Sequence, residues 1–443
     1  MLTEPVSRST IEYCGAQEAG VLEAVKVSFA PSSAAGAAIP KAPMKTSFAR
    51  NAIVLGLITA VGPFAIDMYL PALPAIAADL SASTAATQGS LMAFFLAVAV
   101  CQIVYGPISD SYGRKAPLYF GLGLFTIGSI GCSLAPSIEW LIAARFVQGI
   151  GACAGMTIPR AVVRDLHTGH EAARLMALIM LVFSVSPILA PVSGSFIAEY
   201  LGWREIFWAV AAIGVVSLLM AIFLLRETRP ATARIAFNVR TIAQGYLRLL
   251  GDRHFLGVTF IGGFGLASFF AYLAGSSFVY IDHFGLTPTQ YGMAFAVNAI
   301  AFIGMAQLVG RIGRRFGLRR MVNGALTSYL ITTSMLFVLT LAGVDNVWVL
   351  IGFLFVSFGA MGLVIPSTAV LALEDYGPTA GTASALMGTL QLLAGATVVG
   401  LVGSFSNGAV LPMVSAIVIC AAVAFVLGRL TLGRHEMAPA AAE

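Results

Sequence analysis

The chain has 443 residues, of which 58% are hydrophobic and only 10% charged, with a mean hydropathy of +0.90. Soluble globular proteins carry about 25% charged residues, so an ordinary water-facing surface is excluded and the chain reads as an integral membrane protein. Its net charge of +5 is not gathered on any soluble domain, which excludes a nucleic-acid-binding surface.

In chain order, residues 1–48 come first and differ from the rest. "APSSAAGAAIPKAP" is low in complexity, and no apolar signal-peptide core with a basic flank is present. A disordered tail is expected there. "MKTSFAR" leads directly into an apolar run, which makes Met44 an alternative start to Met1. Apolar stretches of around 20 residues, the length that crosses a bilayer, then predict twelve spans. They lie at 52–74, 85–107, 117–135, 138–160, 172–198, 203–225, 255–281, 290–310, 320–342, 347–370, 379–403 and 408–430. The longest connection, the basic segment 226–254, separates a first six-helix bundle (49–225) from a second (255–430), and 431–443 form a C-terminal tail. The expected fold class is an all-α integral membrane protein with twelve transmembrane helices in two pseudo-symmetric six-helix bundles.

Lys and Arg set the orientation, because loops rich in them stay in the cytoplasm. Arg114 and Lys115 follow span two, and Arg160, Arg164 and Arg174 surround the loop after span four. The central segment holds Arg226, Arg229, Arg234, Arg240, Arg248 and Arg253, and span eight is followed by Arg311, Arg314, Arg315, Arg319 and Arg320. Arg204 stands alone on the other side. Even-numbered loops and both termini are therefore expected in the cytoplasm, although "LEDYGPTAG" after span ten has no basic residue. The halves also repeat: "GPISDSYGRK" (106–115) returns 204 residues later as "GRIGRRFGLR" (310–319), with Gly106 and Gly113 matched by Gly310 and Gly317. A duplicated six-helix unit places binding sites near the midplane between the halves.

Against this frame one residue is out of place. Asp67 sits in "GPFAIDMYLPALPAIAADL" (62–80), framed by Pro63, Pro71 and Pro74, each of which disrupts helix hydrogen bonding. A charge near the bilayer centre costs roughly 2.5–3.5 kcal/mol on insertion scales, and such residues are functional by default. Under the 204-residue shift its counterpart is Ala271, so the acid belongs to the first half alone. Arg145 in span four lies at about the same depth, some 10 Å from the same end at about 1.5 Å per residue. The two are candidates for a proton-handling pair, with a static ion pair or a snorkelling Asp67 as the plainer readings. Gln148 follows Arg145 as a candidate substrate contact, while Gly149 and Gly151 read as close helix packing.

In the loop after span two, Gly106, Asp110, Gly113, Arg114 and Lys115 resemble the major facilitator superfamily pattern G-x-L-a-D-r-x-G-r-k, with Ile108 for Leu and Ser111 for Arg. Leu141, Arg145, Gln148, Gly149 and Gly151 meet its fourth-span pattern L-x-x-x-R-x-x-Q-G-x-G in full. "DMYLPALP" in span one and "SPILAPVSG" in span five look like the bicyclomycin and chloramphenicol resistance branch, the Bcr/CflA drug:proton antiporters. The resemblance covers residues 50–430. It departs from the branch in span five, where Ser186, Ala190 and Ser195 replace glycines of the pattern G-x-x-x-G-P-x-x-G-G and leave Pro191 and Gly194.

The resemblance implies a secondary active multidrug efflux transporter of the bacterial inner membrane, working by alternating access as a monomer. It makes the 106–115 loop a conformational latch, with Asp110 meeting the positive end of span eleven near Gly381; a solvated turn that only sets topology is the plainer alternative. Pro187, Pro191 and Gly194 become a helix-kink motif beside the central cavity. Candidate cavity residues are Tyr69, Gln148, Phe264, Phe269 and Gln391, although any single aromatic is more often packing. The partners are a small amphiphilic drug or metabolite, the proton and the lipid bilayer, with no nucleic acid.

No G-x-x-x-x-G-K loop is present, so ATP is not the energy source and no cofactor is expected. His167 and His170 have metal-like spacing but lie in a loop with Glu171 alone beside them, so no metal is expected. Cys14, Cys101, Cys132, Cys153 and Cys420 lack a pairing pattern and read as small apolar residues. A proton-coupled importer of sugars or organic acids is the alternative reading. It would call for more polar groups than Gln102, Gln148, Asn298, Gln307 and Gln391 supply. An embedded enzyme would need a nucleophile–base or metal cluster at membrane depth, which the sequence does not offer.

Overall fold

The structure, a computed structural model, describes residues 48–234, 238–376, 379–405 and 408–432. The expected N-terminal tail up to residue 47, the alternative start at Met44 and the C-terminal tail from 433 lie outside those residues. Fourteen α-helices make up nearly all of the described chain. In order they are α1 (Phe48–Asp67), α2 (Leu73–Asp79), α3 (Thr84–Tyr112), α4 (Lys115–Ser133), α5 (Ile138–Leu166), α6 (Gly169–Tyr200), α7 (Trp203–Phe223), α8 (Val239–Leu250), α9 (Arg253–Ser277), α10 (Pro288–Phe316), α11 (Leu318–Leu341), α12 (Val347–Leu373), α13 (Ala380–Phe405) and α14 (Val410–Leu432). Twelve segments are long and apolar enough to cross a membrane, with α1 and α2 together forming the first, Phe48–Asp79.

Local chemistry sets the helix ends. Ser83, Ser137, Asp252 and Asn346 each accept backbone N–H bonds at the N-termini of α3, α5, α9 and α12, which relieves the orphan donors there. Thr287 and Gln290 form a reciprocal capping box on α10, with Pro288 in its first turn. At the other ends of α3 and α10 the chain reverses through Gly113 (φ +92°) and Gly317 (φ +82°), a conformation that residues with a side chain rarely adopt.

Span one breaks where its acid and prolines stand. α1 ends at Asp67, a 3-10 turn covers Leu70–Ala72, and α2 restarts at Leu73 with Pro74 in its first turn. Span seven ends in a π-helical turn, Phe278–His283. In span five α6 runs unbroken through Pro187 and Pro191.

Apolar side chains gain little by leaving lipid for protein, so spanning helices associate through close approach of small residues. A Cβ on Gly149 would strike the Phe94 carbonyl, and one on Gly151 would strike the backbone of Phe125 and Gly121. These glycines weld α5 to α3 and α4. Within the first half α5 packs on α3 and α4, α4 on α7 and α1 on α6; within the second, α9 packs on α13 and α14, α10 on α12, and α11 on α12 and α14. Between the halves α3 lies along α13, and α6 along α10.

The inter-half seams are closest toward the end opposite the basic loops. Gln88 donates to the Ala274 carbonyl (2.9 Å), Thr389 to the Ala99 carbonyl (3.0 Å), and the Phe95 and Phe270 rings stack 3.9 Å apart. Thr289 donates to Glu199, and a Cβ on Gly292 would meet the Ser195 side chain. Toward the basic end of the α3–α13 seam Gln102 lies against Gly388. Cβ atoms on Gly106 and Gly381 would meet nothing within 4 Å. Helix α8 bridges this end: Tyr246 donates to the Ile103 carbonyl (3.2 Å) on α3, and Gly245 lies against Thr382 on α13.

Candidate functional site

Asp67 terminates α1 and is 5% exposed, the one carboxylate among the described residues that the fold buries. The backbone just beyond it is pressed against α6, where a Cβ on Gly194 would overlap the Met68 carbonyl oxygen. Gly194 is thus required by a close approach to the span-one break. The Leu70–Ala72 turn just beyond it packs against α9 and α10 of the second half, where the Tyr291 hydroxyl bonds Ser276 at 3.0 Å.

Arg145 is fully buried, yet it does not pair with Asp67; among the described residues no ion pair of Asp67 is found. Its Nη1 donates instead to the Ala65 carbonyl (2.9 Å) and to Gln148 Oε1. The guanidinium lies between the Tyr69 and Phe94 rings, 4.2 and 4.5 Å from their centroids, with Phe207 at 5.9 Å. Cation–π contacts in a desolvated setting are worth about 2 kcal/mol each, so the aromatic cage supplies part of what a carboxylate would. Among the described residues Nε and Nη2 have no hydrogen-bond partner. The expected Asp67–Arg145 contact therefore gives way to a buried cation held by rings and a carbonyl. Arg145 thus meets the backbone of α1 two residues before the acid.

The candidate cavity residues fall into separate places. Tyr69 stacks on Arg145 and its hydroxyl meets Ser90 Oγ at 3.2 Å. Gln148 has both ends of its amide engaged, by Arg145 and by Ser129 Oγ (2.7 Å), which makes it a support for Arg145. Phe269 joins an aromatic cluster with Tyr272, Phe295, Phe302 and Phe358. Gln391 donates to the Thr259 carbonyl (3.3 Å), and Phe264 pairs with Phe260. His167 pairs with Glu171 at 2.9 Å.

At the basic end, the 106–115 loop forms a network wider than its sequence motif. Arg114, 4% exposed, grips Asp165 with Nε (2.7 Å) and Nη2 (3.3 Å), while its Nη1 meets Asp110 (2.8 Å) and Ser109 Oγ (2.8 Å). Burial works against this cation, but the bonds and charges of Asp165 and then Asp110 hold its pKa above the usual value. Arg229, just after span six, also bonds Asp110 at 3.0 Å. Thr228 donates to Asp165 (3.0 Å). Glu227 accepts from the backbone N–H groups of Arg114, Lys115, Thr228 and Arg229 at 2.9–3.1 Å. Partial burial raises its pKa, and these four amides outweigh that and lower it. Asp110 thus has two arginine partners here, and α13 at Gly381 is not one of them. Asp165, Glu227 and Arg229 were missed by motif reading. Their signal, acids and bases just past the ends of spans four and six, is too common to single out.

The sequence profile of the Major Facilitator Superfamily matches residues 55–399. The chain belongs to that superfamily. It is 38% identical over 354 residues to YdgK, an MFS-type transporter of Bacillus subtilis, an alignment that covers 80% of this chain and 88% of YdgK. It is 30% identical over 372 residues to a bicyclomycin resistance protein homolog of Haemophilus influenzae, covering 84% of this chain and 93% of the relative. That relative agrees with the Bcr/CflA resemblance of spans one and five. The fold matches a bacterial homolog of the human lysosomal transporter Spinster, with a TM-score of 0.69 at 16% identity, over 90% of this chain and 100% of that one. This chain is an MFS transporter with twelve membrane-spanning helices.

Proposed function

We propose that this MFS transporter exports amphiphilic drugs from the bacterial cytoplasm in exchange for protons. The basic loops and both termini lie on the cytoplasmic side of the inner membrane, following the distribution of Arg and Lys. The observation that carries the reading is Asp67: a buried acid with no ion-pair partner among the described residues, at a helix break whose following turn packs against the second half. An intramembrane carboxyl so placed ties its charge state to the relative position of the halves. Arg145, with two unpartnered N–H groups, supplies a fixed positive field to the same region. The bicyclomycin-resistance relative and the aromatic content of the spans favour lipophilic cargo. In this reading Asp110, bound to Arg229 here, exchanges it for the N-terminus of α13 when the cytoplasmic side closes.

Proton movement in inverted vesicles carrying the full chain tests this. Addition of bicyclomycin, chloramphenicol or a cationic dye is expected to discharge an imposed pH gradient with the wild type and not with Asp67→Asn. A response that survives the substitution removes Asp67 from coupling. Silence of both proteins toward all three compounds rejects drug antiport and leaves the metabolite importer.

A further inference from the structure

Between α10, α11 and α12 the second half holds a groove that the transport reading does not use. α10 and α11 are joined through Gly317 alone; both pack along α12 but touch one another little. The gap contains a cavity of about 590 Å³, and a second of about 360 Å³ continues it toward the basic end, sharing Gly324, Ala325 and Leu363 with the first. The wall is apolar and low. Cβ atoms on Gly304 and Gly324 would meet nothing within 4 Å. Close packing therefore does not require these glycines, and mid-helix glycine costs about 1 kcal/mol relative to alanine. What they leave is room.

The basic end of the groove is lined by Arg315 and Arg320. They belong to "GRIGRRFGLRR" (310–320), which has five arginines and no acid. Among the described residues Arg315 forms no ion pair; its guanidinium lies over the Phe316 ring at 5.3 Å. From Arg315 to Ile300, at the far end of the groove, α10 rises about 22 Å at 1.5 Å per residue. That is half the 40–45 Å thickness of a bilayer with its headgroups. A cationic mouth at headgroup level over an apolar slot one leaflet deep has the form of a bound lipid.

We propose that this groove holds one anionic phospholipid from the leaflet on the basic side, its phosphodiester headgroup on Arg315 and Arg320 and an acyl chain over Gly304 and Gly324. The charge complementarity selects an anionic headgroup over a zwitterionic one, and the apolar slot selects a lipid over free phosphate. The site is independent of the transported compound.

Native mass spectrometry of the full chain in detergent tests the site, with dioleoyl phosphatidylglycerol, dioleoyl phosphatidylcholine and inorganic phosphate as probes. The wild type is expected to retain one phosphatidylglycerol at least about fivefold better than phosphatidylcholine, and excess inorganic phosphate is expected not to displace it. Arg315→Gln with Arg320→Gln brings the two lipids to parity. Gly324→Leu, which fills the slot from α11, loses the retained lipid whatever its headgroup. Gly304→Leu does the same from α10, so a folding failure of one variant leaves the other to decide. Equal retention of both lipids by the wild type, displacement by phosphate, or unchanged preference in the arginine variant overturns the proposal.

Discussion

At Gly113 and again at Gly317 the chain turns with nearly the same positive φ and leads into the next span. Yet position 110 is aspartate, while its counterpart at 110 + 204 is Arg314. In the first loop the buried Arg114 guanidinium is matched by Asp110 and Asp165, and the linker residue Glu227 holds its backbone N–H, so its charge is balanced inside the protein. In the second loop the position of Arg114 is Leu318, Arg311, Arg314, Arg315 and Arg320 are exposed, and no acid lies within 310–320. Duplication preserved the backbone and let the charge balance diverge. One loop became a closed electrostatic unit tied to the linker, and the other was left with cations facing outward.

The largest test of this contrast is Arg114→Ala. It takes the only ion-pair partner among the described residues from Asp165 and leaves Asp110 with Arg229 alone; removing one partner of a buried pair costs up to about 3–5 kcal/mol, and a marked fall in thermal stability in detergent is expected. Glu227→Gln comes next, costing about 1 kcal/mol as with loss of a helix cap, because the amides of Arg114, Lys115, Thr228 and Arg229 lose a charged acceptor. Its pH dependence has a definite sign. The folded carboxyl is held below its ordinary pKa, so its stabilisation is present above the usual glutamate value of about 4.3 and is lost as pH falls through the lowered folded value. The gap in melting temperature between wild type and Glu227→Gln, measured from pH 7 downward, should therefore close below that range. Arg315→Ala is the smallest, within about 0.5 kcal/mol in detergent, as for an ordinary surface change. A loss at Arg315 equal to that at Arg114 would break the comparison.

Much of the architecture was legible from apolar length. Each predicted span lies on an observed helix; span eight, read as 290–310, extends as α10 over Pro288–Phe316 because a helix does not stop where the hydrocarbon does. The break at Asp67 was written in Pro71 and Pro74. The amphipathic α8 was not legible, since within the basic segment 226–254 its 12 residues are too short and too polar to register as a span. Nor was the partner of Arg145. Depth along a helix can be counted in residues, but the angle around it is set by packing, and here it turned Ala65 rather than Asp67 toward the guanidinium. Gln148 was read as free to meet cargo because its bond to Ser129, on a different helix, has no local sequence sign.

The contacts of α3 with the second half carry a mechanical consequence. Gln88 bonds the Ala274 carbonyl on α9, and Thr389 on α13 bonds the Ala99 carbonyl, so the two contacts stand eleven residues or about 16 Å apart along α3. Were one half to swing about an axis near Ala99 by about 20°, the lever arm would carry the Gln88 contact some 5–6 Å, well past the 3.2 Å limit of a hydrogen bond. The bond at Ala99 would hardly lengthen. One works as a pin that can survive every stroke, and the other as a catch that must let go.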